Sequence, residues 1–195
     1  MEAPSTGKPM RADARRNYER IVTTAQQAFA ELGPEAPLEE IARRAGVGIG
    51  TLYRHFPNRE ALIEAVYRSS IEHLSQRAHD LLVTHTAGTA FEYWMREQVE
   101  WVMANRVLAT TLKAGMDHNT PTFTLCREAI TGAASLLVQA ARDAGTIRAD
   151  IEPRDLIRLG HGLGVACETT PEAAERLIAV TLDGLRATPA DTQRS

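Results

Sequence analysis

An all-α fold of about nine helices is predicted for this chain, a short N-terminal helix-turn-helix unit followed by a longer helical bundle. Three observations carry that prediction. Apolar residues recur at spacings of three and four along nearly the whole chain. No run alternates apolar and polar residues for the length of a useful strand. Glycines and prolines fall between the periodic stretches, where helices must stop. Apolar residues make up 44% of 195 residues, enough for a real interior.

The first helix spans about 14–32, with Ile21, Ala25, Ala28, Phe29 and Leu32 on one stripe. Gly33 and Pro34 stop it. Two short helices follow within 38–56, and Asn58 is a suitable N-cap for a long helix running into the low eighties through Leu62, Val66, Ser70, Leu74 and Leu81. Residues 84–89 read as a loop, 90–105 as a helix, and 107–115 as a short helix ending at Gly115. After the polar break DHNTPT, a helix over 122–143 ends near Gly145, and TIRADIEP connects it to two last helices over 153–168 and 171–187. The segment 1–13 is expected to be a disordered basic tail, and 188–195 a flexible one.

The stretch LEEIARRAGVGIGTLYRHFPNR, residues 38–59, is the most informative part of the chain. Leu38, Ile41, Ala42 and Ala45 share one helical face, and Gly46 stands where a helix end needs positive φ. Val47 is then free to pack inward. The next helix begins near Gly48 or Ile49, points Leu52 and Phe56 inward, and leaves Thr51, Tyr53, Arg54 and His55 on other faces. Pro57 ends it. Two short helices on a tight glycine turn form the geometry that lays a helix in the DNA major groove. Arg54 is the expected base reader, because a guanidinium can bond guanine O6 and N7 together.

The run AGVGIGTLYRHFPNREAL, with YERIVTTAQQAFAELG before it and REALIEAVY overlapping its end, resembles the DNA-binding region of the tetracycline-repressor (TetR/AcrR) family of bacterial regulators over residues 14–68. The resemblance implies a DNA-binding domain over 14–60 and a helical ligand-binding and dimerisation domain over 61–187. It places Gly50 and Thr51 near the groove floor, Tyr53 and His55 at phosphate-bonding positions, and Arg59 where the family has a phosphate-holding lysine. Arg43 and Arg44 are further phosphate candidates. There are departures. Gly48 and Ile49 stand where the family carries Ser/Thr and Lys, and Pro37 replaces a capping Thr, so hydroxyl and cationic contacts are lost. Lys8, Arg11, Arg15 and Arg16 are placed to compensate.

The net charge of −3 is uneven. Residues 1–70 hold ten Lys/Arg against nine Asp/Glu, and the remainder is acidic. DNA binding therefore requires a local positive patch rather than a basic coat. Two distant cysteines, Cys126 and Cys167, argue against a disulfide framework and for a reducing cytoplasm. No apolar run reaches the ~18–20 residues of a membrane span, and the first residues lack the apolar core of a secretory signal.

One short reading helix sees few base pairs, so the resemblance implies a homodimer on a palindromic double-stranded operator, with half-sites ~34–36 Å apart. The last two helices supply the expected pairing faces: Leu156, Gly160, Leu163 and Cys167 on one, Leu177, Ile178, Thr181, Leu182 and Leu185 on the other. Glycines at 160, 162, 164 and 184 suggest close helix approach. The same stripes would also serve to close the subunit's own core. Between them, Trp94, Trp101, Met116 and Phe123 suggest a pocket for a largely apolar or aromatic small-molecule effector, with polar anchors drawn from Asp117, His118, Asn119, His161 or Glu168.

The expected function is a cytoplasmic, ligand-responsive transcriptional repressor that needs no cofactor or metal. Two alternatives stand beside it. One is an all-helical enzyme with a vestigial helix-turn-helix, although His73, His79, His85 and His118 fit neither an HExxH pair nor a Cys/His zinc spacing. The other is a DNA-binding protein without an effector.

Overall fold

The computed structural model describes the backbone of residues 7–115, 121–167 and 169–187, and the side chains of 12–105, 121–167 and 169–187. Its elements are α1 (Gly7–Leu32), α2 (Leu38–Arg44), α3 (Ile49–His55), α4 (Arg59–Thr84), α5 (Ala87–Gly115), α6 (Pro121–Asp143), α7 (Pro153–Ala166), a 3-10 turn (Pro171–Ala173) and α8 (Ala174–Leu185). The fold is all-α. The described residues contain no strand beyond one isolated bridge between Ile147 and Arg186.

Most helix ends follow from the residues expected to make them. Gly33, Gly46 and Gly145 have positive φ, at 82°, 63° and 64°. Behind Gly145, the Thr146 amide donates to the Ala141 carbonyl at 2.9 Å and the Gly145 amide to Arg142 at 2.8 Å, which caps the last turn of α6. Asn58 caps α4 by accepting from the Ala61 amide at 2.8 Å.

Two boundaries differ from expectation. The helix predicted from residue 14 begins at Gly7, so residues 7–13 of the supposed loose tail are helical. Pro9 costs nothing there, because the first four amides of a helix have no intrahelical acceptor. The pairs Arg16–Asp13 and Arg15–Glu19 (2.9 Å) lie three and four apart and favour the helix. The two helices expected at 90–105 and 107–115 form one element broken at Asn105, whose φ of −118° and ψ of 16° are not helical. Asn105 is buried, and its side-chain amide donates to the Trp101 carbonyl at 2.9 Å. That bond satisfies an acceptor at the break.

The chain forms two compact units, one of residues 1–69 with 107–116, the other of 70–106 with 117–195. In the first, α1 packs on α2 and α2 on α3. Ile21, Ala25, Ala28, Ile41, Leu52, Leu62 and Val66 are buried there. In the second, one apolar core runs through Leu74, Leu81, Phe91, Trp94, Met95, Val99, Leu137, Leu156, Ile178 and Leu182. Arg77 of α4 and Glu97 of α5 bridge its surface as a bidentate pair, the shortest contact being 2.6 Å. No helix among the described residues is long and apolar enough to cross a membrane.

Candidate nucleic-acid interface

The turn between α2 and α3 is built by backbone geometry. The Val47 amide donates to the Ala42 carbonyl at 3.0 Å and the Gly46 amide to Arg43 at 3.1 Å, a double closure that only a positive φ at residue 46 allows. The chain then enters α3 at Gly48, which is extended and offers no capping side chain. Leu52 and Phe56 are buried at 0% and 2% exposure, so the opposite face of α3 must point outward. On that face Tyr53 is 46% exposed and Arg54 is exposed. A Cβ at Gly50 would meet nothing within 4 Å, so close approach to this turn is open. Thr51 and His55 are half-buried.

The cations around α3 are in three different states. Arg54 makes no hydrogen bond or ion pair with any described residue and is free for an external partner. Arg43 and Arg44 are exposed but held. Glu40 accepts from Arg43 through both oxygens at 2.7 Å and from Arg44 at 2.8 Å, and Glu31 accepts from Arg44 at 2.6 Å. Hydrogen bonds from Arg43, then Arg44, hold the Glu40 carboxyl well below the ordinary glutamate range, at about 2. The hydrogen bond to Glu40 raises Arg43, and those to Glu31, then Glu40, raise Arg44. Arg59, expected to hold phosphate, has turned inward. Its Nη1 donates to the carbonyls of Pro34 and Ala36, both at 2.7 Å, and braces the α1–α2 loop against the start of α4. His55 also differs from a simple phosphate donor. Its Nε2 is buried without a hydrogen-bond partner among the described residues, and its ring stands edge-on to Tyr18 with centroids 6.1 Å apart.

Beside these residues, an open cleft of about 720 Å³ lies between α1 and the end of α2, lined by Asp13, Arg16, Glu19, Arg20, Thr23 and Arg44 among others. Sequence reasoning missed the acidic partners of Arg43 and Arg44, although Glu40 lies three and four positions before them, the helical pairing distance. It also missed Tyr18, whose partner Arg68 is fifty positions away and carries no local signal.

The residues expected to line a ligand pocket are not gathered in a described cavity. Trp94 is fully buried, and its indole N–H donates to the Leu74 carbonyl at 2.8 Å, which makes it a core residue. Trp101 and Phe123 are half-buried. Met116, Asp117, His118, Asn119 and Glu168 lie outside the described residues, as do the side chains of Lys8 and Arg11 and the tail 188–195. A cavity of about 390 Å³ in the second unit is lined instead by Thr86, Thr89, Phe91, Thr146, Leu182 and Arg186. Among the described residues, no group of three or more His, Cys, Asp or Glu is placed to hold a metal ion.

The expected pairing stripes are only partly accessible on the subunit. Leu156, Cys167, Ile178, Leu182 and Leu185 are buried in the subunit, Gly160 is pressed against Gln98 of α5, and Leu163 packs on the core. Leu177 and Thr181 are half-buried. The buried members of these stripes pack into the subunit's own core, because the most apolar face of an amphipathic helix is the one folding buries first. The faces left outward carry Gly162, Val165 and Ala166 on α7 and Ala179, Val180 and Gly184 on α8.

A short exposed helix, seated by a second helix across a glycine turn and carrying a free arginine, is the arrangement of a helix-turn-helix DNA-binding unit. Comparison with known proteins agrees. Residues 21–66 match the model of bacterial regulatory proteins of the tetR family, and residues 86–187 match the C-terminal domain of SbtR-like transcriptional regulators. A TetR transcriptional regulator of Streptomyces coelicolor, SCO0520, superposes with a TM-score of 0.77 at 38% identity, over 88% of this chain and 99% of that one. A TetR regulatory protein of Mycobacterium vanbaalenii gives 0.77 at 36%, over 92% and 100%. An HTH-type transcriptional regulator of Staphylococcus aureus is 34% identical over 100 residues, 51% of this chain and 50% of the relative. The chain thus spans about half the length of the curated relatives it matches. The chain belongs to the TetR family of bacterial DNA-binding transcriptional regulators.

Proposed function

We propose that the protein is a homodimeric, ligand-responsive repressor that binds a palindromic operator through paired α3 helices and leaves it when a small apolar or aromatic effector binds. The observation that carries this reading is Arg54, exposed and without a partner among the described residues, beside exposed Tyr53 on the outward face of α3. A guanidinium so presented suits the guanine edge in a major groove, while the Tyr53 hydroxyl suits a phosphate. Arg43 and Arg44 serve as secondary phosphate contacts, since each must leave or share Glu40 to reach DNA. Arg59 supports the fold of the unit rather than a phosphate.

Pairing is assigned to the outward faces of α7 and α8. Val165 and Val180 are 45% and 64% exposed, and Gly162 and Gly184 have open space where a Cβ would stand, which suits close packing of helices from a second copy. Effector binding is assigned to the second unit around Trp101 and Phe123. A ligand shifts the regulator only by its differential affinity for the DNA-competent and incompetent states. Cys126 and Cys167, both buried and outside any disulfide, suit the reducing cytoplasm in which such a repressor works.

Gel-shift and footprinting on the promoter beside its own coding region test the reading. A protected palindrome that is lost in Arg54→Ala supports it. No protection at low salt, where phosphate contacts are strongest, counts against it.

A further inference from the structure

We infer that Tyr18 of α1 is a positioning residue that sets the pose of the reading helix by tying its C-terminal end to α4. The inference rests on the DNA-binding reading of α3. The Tyr18 hydroxyl accepts from Arg68 Nη2 of α4 at 2.6 Å. Its ring lies against Phe56 with centroids 5.0 Å apart and planes tilted by 36°, and it meets the His55 ring at 71°. Phe56 is the buried C-cap of α3, its amide bonded to the Leu52 carbonyl at 2.8 Å. One aromatic side chain therefore joins three helices at the last turn of α3.

The neighbouring groups leave this contact with an unusual share of the control. Among the described residues, His55 Nε2 is buried without a partner, so ring packing rather than a hydrogen bond at that nitrogen fixes the ring. His55 and Phe56 directly follow Arg54, the free cation of the outward face. α3 has only seven residues and no side-chain cap at Gly48, so its own hydrogen bonds hold its direction weakly. Displacing the Tyr18 ring thus turns α3 under Arg54 and Tyr53 without touching either. Base readout depends on angle and depth, whereas phosphate attraction tolerates a small rotation. Loss of the Tyr18–Arg68 bond should therefore cost sequence discrimination before it costs general DNA affinity.

The test compares two DNA probes, a duplex recovered by the wild-type protein from a random-sequence pool and the unselected pool itself. Tyr18→Phe keeps the ring and removes the hydroxyl; Arg68→Met removes the donor. Each is expected to bind the selected duplex about tenfold more weakly, the scale of one hydrogen bond to a charged group, with unchanged affinity and salt slope on the pool. The double variant should be no worse than Arg68→Met alone, because removing the donor already removes the bond that Tyr18→Phe deletes. Tyr18→Leu, which removes the ring as well, should lower discrimination further. Wild-type affinity of both single variants for the selected duplex would overturn the inference, as would an equal loss on both probes. If the wild-type protein enriches no duplex at all, the DNA-binding reading itself fails.

Discussion

Gly160 of α7 lies flat against the Gln98 side chain of α5: a Cβ at residue 160 would stand 2.4 Å from Gln98 Oε1 and 2.6 Å from its Cδ. Gln98 is held there because its amide nitrogen donates to the Ile157 carbonyl at 2.9 Å. One turn on, a Cβ at Gly164 would stand 2.5 Å from the Val102 Cβ and 3.0 Å from the Val99 carbonyl oxygen. Gly160→Ala should destabilise the protein by ~1–3 kcal/mol through overpacking. Gly164→Ala should cost more, because it meets backbone and a β-branched residue. Gly132→Ala, in the middle of α6 and facing open space, should gain up to ~1 kcal/mol of helix propensity. Urea melts at one protein concentration would read this order, and equal stabilities would refute the packing.

The outward faces of α7 and α8 lead to a prediction about assembly. Val165→Asp with Val180→Asp should halve the mass measured by sedimentation while keeping the helical spectrum, because both side chains are exposed in the subunit. A dimer that survives both charges would move the interface elsewhere.

Glu40 gives a pH prediction with a defined sign. Its carboxyl is depressed to about 2 by the two arginines, below its value in the unfolded chain. Its contribution to stability is thus fully present above the ordinary glutamate range and is lost as pH falls toward 2. Carboxyl carbon shifts followed by NMR should show the low midpoint, and added salt should raise it, since the site is exposed. A midpoint in the ordinary range in dilute buffer would show that the arginine contacts do not persist in solution.

Arg59 separates a structural cation from a DNA-binding one. Arg59→Met removes two hydrogen bonds from a charged donor and should cost ~1.5–3 kcal/mol of stability. It should leave the salt slope of DNA binding unchanged, because Nη1 is already committed to Pro34 and Ala36. A slope reduced by ~1 would instead restore a phosphate role.

The local code for this fold was largely legible. Gly33, Gly46 and Gly145 marked helix ends, Asn58 marked a cap, and Leu52 with Phe56 marked the inward face of α3, because each acts through its own backbone or helical period. What was hidden depends on contacts between distant residues. The stripe of Leu156, Gly160 and Cys167 has the same period whether it meets α5 of its own subunit or a helix of another. Trp94 carries no mark that its indole N–H will find the Leu74 carbonyl. Nor does Arg59 show in sequence that its guanidinium will fold back onto a loop rather than extend to phosphate.

Whether Arg54 reads a base from the outward face of α3 is decided by titrating wild type and Arg54→Ala against the selected duplex and the unselected pool. Arg54→Ala should lose ~1–3 kcal/mol on the selected duplex, with base preference relaxed at one position in each half-site. Equal affinity of the two proteins for the selected duplex, with base preference intact, would contradict base reading by Arg54.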